Sequence, residues 1–164
     1  MEKETFVYYE TLKNRYPNVR ILTWKKEFNY SAINNFAVRE ARGEYLLFLN
    51  NDVEIITESW LEEMLQLCQQ KDVGMAGAKL YYPDDTIQHA GVVVGLGGVA
   101  AHVLCKLPRD AEGYMGRLRC VQEISAVTAA CMMVKTSVFK AVGGFDEELK
   151  VAFNDIDPVS YTHL

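Results

Sequence analysis

The sequence predicts an α/β fold: a doubly wound, mainly parallel (mixed) sheet flanked by helices. Three observations carry that expectation. Segments with helical apolar spacing alternate with short apolar runs, the order that builds strand-helix-strand crossovers. The run Tyr45-Leu46-Leu47-Phe48-Leu49 is apolar without alternation, as in strands buried on both faces. It ends abruptly in Asn50-Asn51-Asp52, and ligands of such sheets gather at the carboxyl ends of the strands.

Taken in order, residues 4–16 place Phe6, Val7, Tyr9 and Leu12 on one helical stripe that Pro17 ends. Val19-Arg20-Ile21-Leu22-Thr23-Trp24 then reads as a strand. From Ser31, the spacing of Ile33, Phe36, Ala37 and Ala41 suits a helical face, with Gly43 as its cap before a strand over 44–49. Ser59-Trp60-Leu61-Glu62 has the pattern of a capping box, opening a helix with an apolar stripe of Leu61, Met64, Leu65 and Cys68. Residues 73–78 are expected to form a short strand.

Beyond Pro83 the texture changes. Tyr82-Pro83-Asp84-Asp85-Thr86 is a turn, and residues 87–94 lead into Gly95, Gly97 and Gly98, which break regular structure. Residues 108–119 are polar, basic and glycine-containing, and are expected to be a mobile loop. Residues 123–134 are apolar and rich in small side chains, the composition of a central strand. Residues 136–142 suit a short helix closed by Gly143-Gly144.

At 164 residues, 49% hydrophobic and 24% charged, the chain fits one soluble globular domain. A formal net charge of −5 leaves no basic footprint for nucleic acid. Cys68, Cys105, Cys120 and Cys131 form no CxxC pair and no cluster with histidine, so reduced thiols in a cytoplasmic setting are expected. No segment reaches the ~18 apolar residues of a membrane span, and Met1-Glu2-Lys3-Glu4 is unlike a signal peptide.

Four elements can carry chemistry. Asn50-Asn51-Asp52 can hold Mg²⁺ or Mn²⁺ by oxygen ligation, or serve simply as a turn. In Asn154-Asp155-Ile156-Asp157, one of two neighbouring acids can act as a general base; a solvated acidic turn would have the same spacing. The segment from Ser125 to Val134, with Gly143-Gly144-Phe145-Asp146, allows close approach to the backbone, which tight packing alone would also require. His89, in Gln88-His89-Ala90-Gly91, is either a catalytic group or a hydrogen-bonded core residue, and His102 has the weaker case for chemistry.

In sequence, Asn35-Phe36-Ala37, Ala41-Arg42-Gly43-Glu44 running into Tyr45-Leu46-Leu47-Phe48-Leu49-Asn50-Asn51-Asp52, Ala129-Ala130-Cys131-Met132-Met133-Val134, Gly143-Gly144-Phe145-Asp146-Glu147 and Asn154-Asp155-Ile156-Asp157 resemble family 2 glycosyltransferases. The resemblance covers roughly residues 18–157 and is nearest to the bacterial rhamnosyl- or galactosyl-transferase-like group that builds surface polysaccharides. It implies a GT-A fold, a nucleotide-sugar donor, a glycan or lipid-linked acceptor, inversion at the anomeric carbon, and peripheral association of the full-length protein with the inner face of the membrane. Asp52 would be the ligand of Mn²⁺ or Mg²⁺, with Asn50 where the family often has its first Asp, and Asn35, Asn50, Asn51 and Asp52 on the donor side. Asp155 matches the family's general base, although Asn154 replaces the Glu before it. Ala129, Ala130, Cys131, Gly144, Phe145, Asp146 and Asp157 would shape the acceptor pocket. Ala37 stands where a Gly is usual.

Residues 1–157 are thus expected to be a partial GT-A domain that begins with the helix after the family's first, base-binding strand, and to be inactive alone. Residues 158–164, Pro158-Val159-Ser160-Tyr161-Thr162-His163-Leu164, resemble translated adapter read-through and are expected to be a foreign tail. Pro158 opposes continuation of a helix there by ~3 kcal/mol. Two other classes share parts of this pattern: a nucleotidyltransferase, with the same sheet and acidic metal site, and a noncatalytic carbohydrate-binding or scaffold domain.

Overall fold

The computed structural model describes residues 3–95 and 100–150. Its helices are α1 (Lys3–Arg15), α2 (Tyr30–Glu40), α3 (Trp60–Gln69) and α4 (Thr136–Ala141). Its strands are β1 (Tyr45–Leu49), β2 (Met75–Gly77), β3 (Leu80–Tyr81), β4 (Ile87–His89), β5 (Val92–Val94), β6 (Ala100–His102) and β7 (Cys131–Lys135). A 3₁₀ turn spans Tyr114–Arg119. The expected α/β character holds.

The expected parallel pairing does not hold. Every paired strand among the described residues runs antiparallel, in a three-stranded sheet of order β1-β7-β2 and two hairpins, β3-β4 and β5-β6. The reason is the return of β7. Strands β1 and β2, joined through α3, both lie antiparallel to β7 and so run parallel to each other, as a crossover requires. Strand β7 enters between them from the opposite direction and takes the ladder bonds that a parallel pair would have formed.

β1 also differs from a strand buried on both faces. Leu46 and Phe48 are buried, but Leu47 and Leu49 are exposed. β7 is the strand covered on both sides: Met132 and Val134 face one cluster with Leu46, Phe48, Phe139 and Phe145, while Cys131 and Met133 face another with Met64, Cys68 and Ala76 from α3 and β2. Central position in the sheet, rather than an apolar run, decides double burial.

Other boundaries shift for local reasons. Residues 19–24 form no ladder, because an extended segment becomes a strand only when a neighbour takes its backbone bonds. Only the last part of 123–134 pairs as a strand; at Ala126 there is a single bridge to Val92. β4 and β5 are separated at Ala90-Gly91, where Gly91 has φ +112° and a Cβ would lie 2.5 Å from the Ile124 side chain. Ser59 precedes α3, but its Oγ donates to Glu63 Oε1 at 2.6 Å instead of forming the box with Glu62. The C-cap of α2 is Ala41, ahead of Gly43. Part of the expected 108–119 loop is ordered, with Leu118 buried against Ile87 and Ala90.

Helix α4 ends as anticipated. Gly143 and Gly144 both adopt positive φ, and the Gly144 N–H closes back on the Phe139 carbonyl at 2.9 Å. This reversal sends Phe145 into the core. Phe48, Phe139 and Phe145 form a triangle with ring centroids 4.9–5.2 Å apart.

Candidate active site at the sheet end

The carboxyl ends of β1 and β2 and the amino end of β7 meet at one end of the sheet. The ladder extends one residue beyond Leu49, with the Asn50 N–H donating to the Ala130 carbonyl at 3.0 Å. On the other side, the Ala78 N–H donates to the Cys131 carbonyl at 3.2 Å. Asn50-Asn51-Asp52 and Ala129-Ala130-Cys131, 77 or more residues apart in sequence as counted from Asp52 to Ala129, are therefore neighbours.

Their exposures differ. Asn51 and Asp52 are exposed in the turn after β1, and Asn50 is half-buried. Ala129 and Cys131 are buried, leaving Ala130 half-buried at the rim. The segment is tied from behind: Tyr30 at the start of α2 donates its hydroxyl to the Ala129 carbonyl at 3.4 Å, and Thr128 Oγ1 accepts the Ala130 N–H at 3.4 Å. Nothing in the local sequence marks Tyr30 or Thr128, since the Tyr30 contact spans 99 residues.

Asn35 is bound to the chain after α4. Its Nδ2 donates to the Phe145 carbonyl at 2.8 Å and to Glu147 Oε1 at 3.1 Å, and its Oδ1 accepts the Phe145 N–H at 3.0 Å. Gly144 makes room for it, as a Cβ there would lie 2.7 Å from Asn35 Oδ1. Phe145 is buried, and the Asp146 carboxylate accepts the Glu148 N–H at 2.8 Å. The amino end of α2 grips this strap further along: Asn29 donates to the Glu147 carbonyl, Ser31 to the Leu149 carbonyl and the Tyr30 N–H to the Lys150 carbonyl. Asn154, Asp155 and Asp157 lie outside the described residues.

His89 is 2% exposed. Its Nδ1 lies 2.9 Å from Nδ1 of the exposed His102, and its Nε2 accepts the Thr128 N–H at 3.4 Å. Burial, reinforced by the neighbouring His102, lowers its pKa to about 4.

Among the described residues no group of three or more His, Cys, Asp and Glu side chains could hold a metal ion. Asp52 takes part in no ion pair among them, so its carboxylate oxygens are available at the rim. One carboxylate with amide oxygens from Asn50 and Asn51 fits a hard cation that takes its remaining ligands from phosphate and water, the usual habit of Mg²⁺. It does not fit a cage made wholly of protein.

The turn Asn50-Asn51-Asp52 and the small-residue segment Ala129-Ala130-Cys131 thus share the end of the sheet at which β1 and β2 finish, the place where ligands of α/β sheets gather. The chain belongs to glycosyl transferase family 2, whose model matches residues 4–143. It is 51% identical over 158 residues, 96% of its length, to the uncharacterized protein y4gI of Sinorhizobium fredii (strain NBRC 101917 / NGR234). It is 44% identical over 142 residues, 86% of its length, to the O-antigen biosynthesis protein RfbC of Myxococcus xanthus. The matched stretches are 17% and 11% of those two proteins, so the chain spans less than a fifth of either. No solved structure matches it significantly. No helix among the described residues is long and apolar enough to cross a membrane.

Proposed function

We propose that the chain is part of a GT-A-like domain that transfers a sugar, with inversion, from a nucleotide-sugar donor to a hydroxyl of a glycan or lipid-linked acceptor. The protein would act at the cytoplasmic face of the membrane in building a surface polysaccharide. The observation that supports this reading is the hydrogen bond from the Asn50 N–H to the Ala130 carbonyl, which joins Asn50-Asn51-Asp52, proposed for the donor side, to Ala129-Ala130-Cys131, proposed for the acceptor side. Family membership and the name of the Myxococcus xanthus relative support the same reading.

Asp52, with Asn50 and Asn51, would hold Mn²⁺ or Mg²⁺. That cation, when bound, neutralises charge developing on the departing nucleoside diphosphate. Asp155 would take the proton of the acceptor hydroxyl as its oxygen attacks the anomeric carbon, the bond to the diphosphate breaking as the new glycosidic bond forms. Ala129, Ala130 and Cys131, with Gly144, Phe145, Asp146 and Asp157, are proposed to line or support the acceptor side. Asn35 would stand on the donor side with Asn50, Asn51 and Asp52, held by its hydrogen bonds to Phe145 and Glu147.

The test is calorimetric titration of the chain with UDP, GDP and dTDP, with and without Mn²⁺. Nucleotide binding that needs Mn²⁺ and is lost in Asp52→Ala is the expected result. Formation of a nucleotide-sugar from a nucleoside triphosphate and a sugar phosphate would point instead to nucleotidyl transfer. Glycan binding without metal or nucleotide, unchanged by Asp155→Asn, would point to a binding module.

A further inference from the structure

His89 is buried, and its proton arrangement is decided by its neighbours. Its Nε2 faces the Thr128 N–H, a group that can only donate, so Nε2 must be the bare acceptor nitrogen and the ring proton must lie on Nδ1. That proton points at Nδ1 of His102, 2.9 Å away, which must then accept it and carry its own proton on Nε2, on the exposed side. Two hairpins contribute the pair, β4 supplying His89 and β6 supplying His102, which lies opposite Val92 in the β5-β6 ladder. Val92 and Ala126 exchange both backbone hydrogen bonds, at 2.9 and 3.1 Å, so the hairpins and the 126–130 segment form one hydrogen-bonded unit. From Thr128 the chain of contacts continues through Oγ1 to the Ala130 N–H, and from the Ala130 carbonyl to Asn50. His102 is the titratable side chain acting on His89 among the described residues.

We propose that His89 is a positioning residue for the candidate site: its bare Nε2 sets the Thr128 backbone, and with it the Ala130 carbonyl that anchors Asn50, while His102 locks His89 in the Nδ1–H tautomer. This rests on the sugar-transfer reading for its functional consequence. The geometry of the strut itself does not.

Two measurements test it. In heteronuclear spectra of the chain labelled with ¹⁵N in its imidazole rings, recorded at neutral pH, His89 is expected as the Nδ1–H tautomer and His102 as the Nε2–H tautomer. A proton on Nε2 of His89 overturns the proposal. In titrations with UDP, GDP and dTDP in the presence of Mn²⁺, His89→Leu is expected to weaken nucleotide affinity about tenfold by leaving the Thr128 N–H unpaired. His89→Gln, whose amide oxygen reaches the position of Nε2, is expected to stay within about threefold of the wild type. Wild-type affinity in folded His89→Leu, or a tenfold loss in His89→Gln, overturns the positioning role. Should His89→Leu fail to fold, the imidazole spectra and His89→Gln decide the matter between them. Where the wild-type chain binds none of the three nucleotides, the strut is judged on the spectra and on protection of the Thr128 amide from exchange, expected to persist in His89→Gln and to be lost in folded His89→Leu.

Discussion

Asn35 and Phe145 are joined by two reciprocal hydrogen bonds, the Asn35 amide donating to the Phe145 carbonyl at 2.8 Å and accepting the Phe145 N–H at 3.0 Å. A side chain thus completes the backbone of a segment that has no strand neighbour, and fixes a core aromatic 110 residues away. Asn35→Ala leaves both Phe145 groups unpaired and is expected to destabilise the fold by about 2 kcal/mol in urea denaturation. Gly144→Ala should destabilise as well, since φ is +82° there and the new Cβ would meet Asn35 Oδ1. The two changes act on one contact, so a double-mutant cycle is expected to show clear non-additivity.

Asp52 should behave in the opposite way. It is exposed and enters no ion pair among the described residues, so Asp52→Ala is expected to leave the urea midpoint unchanged while removing the Mn²⁺-dependent part of nucleotide binding. Equal Mn²⁺ dependence in the variant would place the cation elsewhere.

His89 makes stability depend on pH in a defined window. Its folded pKa of about 4 lies below the ordinary 6.5, so between these values the unfolded chain binds a proton that the folded chain does not. Stability from this group is therefore complete above pH 6.5 and is lost as the pH falls towards 4, by about 3 kcal/mol over the window. Denaturation curves from pH 7 to pH 4 should show that slope, and His89→Gln should flatten it.

The four cysteines should divide by burial. Cys68 and Cys131 are buried, which raises their thiol pKa values, and Cys68 also donates to the Met133 carbonyl at 3.4 Å. Cys105 and Cys120 are exposed. Iodoacetamide at neutral pH is expected to label Cys105 and Cys120 in the native chain, and Cys68 and Cys131 only after unfolding, as read by peptide mass mapping.

Local order was legible in the sequence wherever the decisive residues lie within a few positions of one another. The apolar run ending at Asn50, the stripe of α3 at Met64, Leu65 and Cys68, and the Gly143-Gly144 stop after α4 are all set by neighbouring side chains and backbone freedom, whereas the stripe expected for α2 missed its core face: Ala37 and Ala41 are exposed, and Ser31 and Ala32 are buried. The gathering of Asn50-Asn51-Asp52 with Ala129-Ala130-Cys131 followed from resemblance to a family rather than from periodicity. The division of 123–134 into bridge, turn and strand had no local mark, because it depends on where Val92 and Leu49 present free backbone groups.

The sequence by itself determined that this is an α/β chain with a carboxylate delivered to the end of a strand. Tertiary structure alone decided the polarity of the sheet, since β7 could pair with β1 and β2 only by entering between them. It also decided which polar side chains were free. Asn35 is engaged on Phe145 and His89 on Thr128 and His102, whereas Asp52 is exposed at the rim and in no ion pair among the described residues. The physical reason is that a hydrogen bond depends on which groups packing brings within about 3 Å, and those partners lie tens of residues away along the chain.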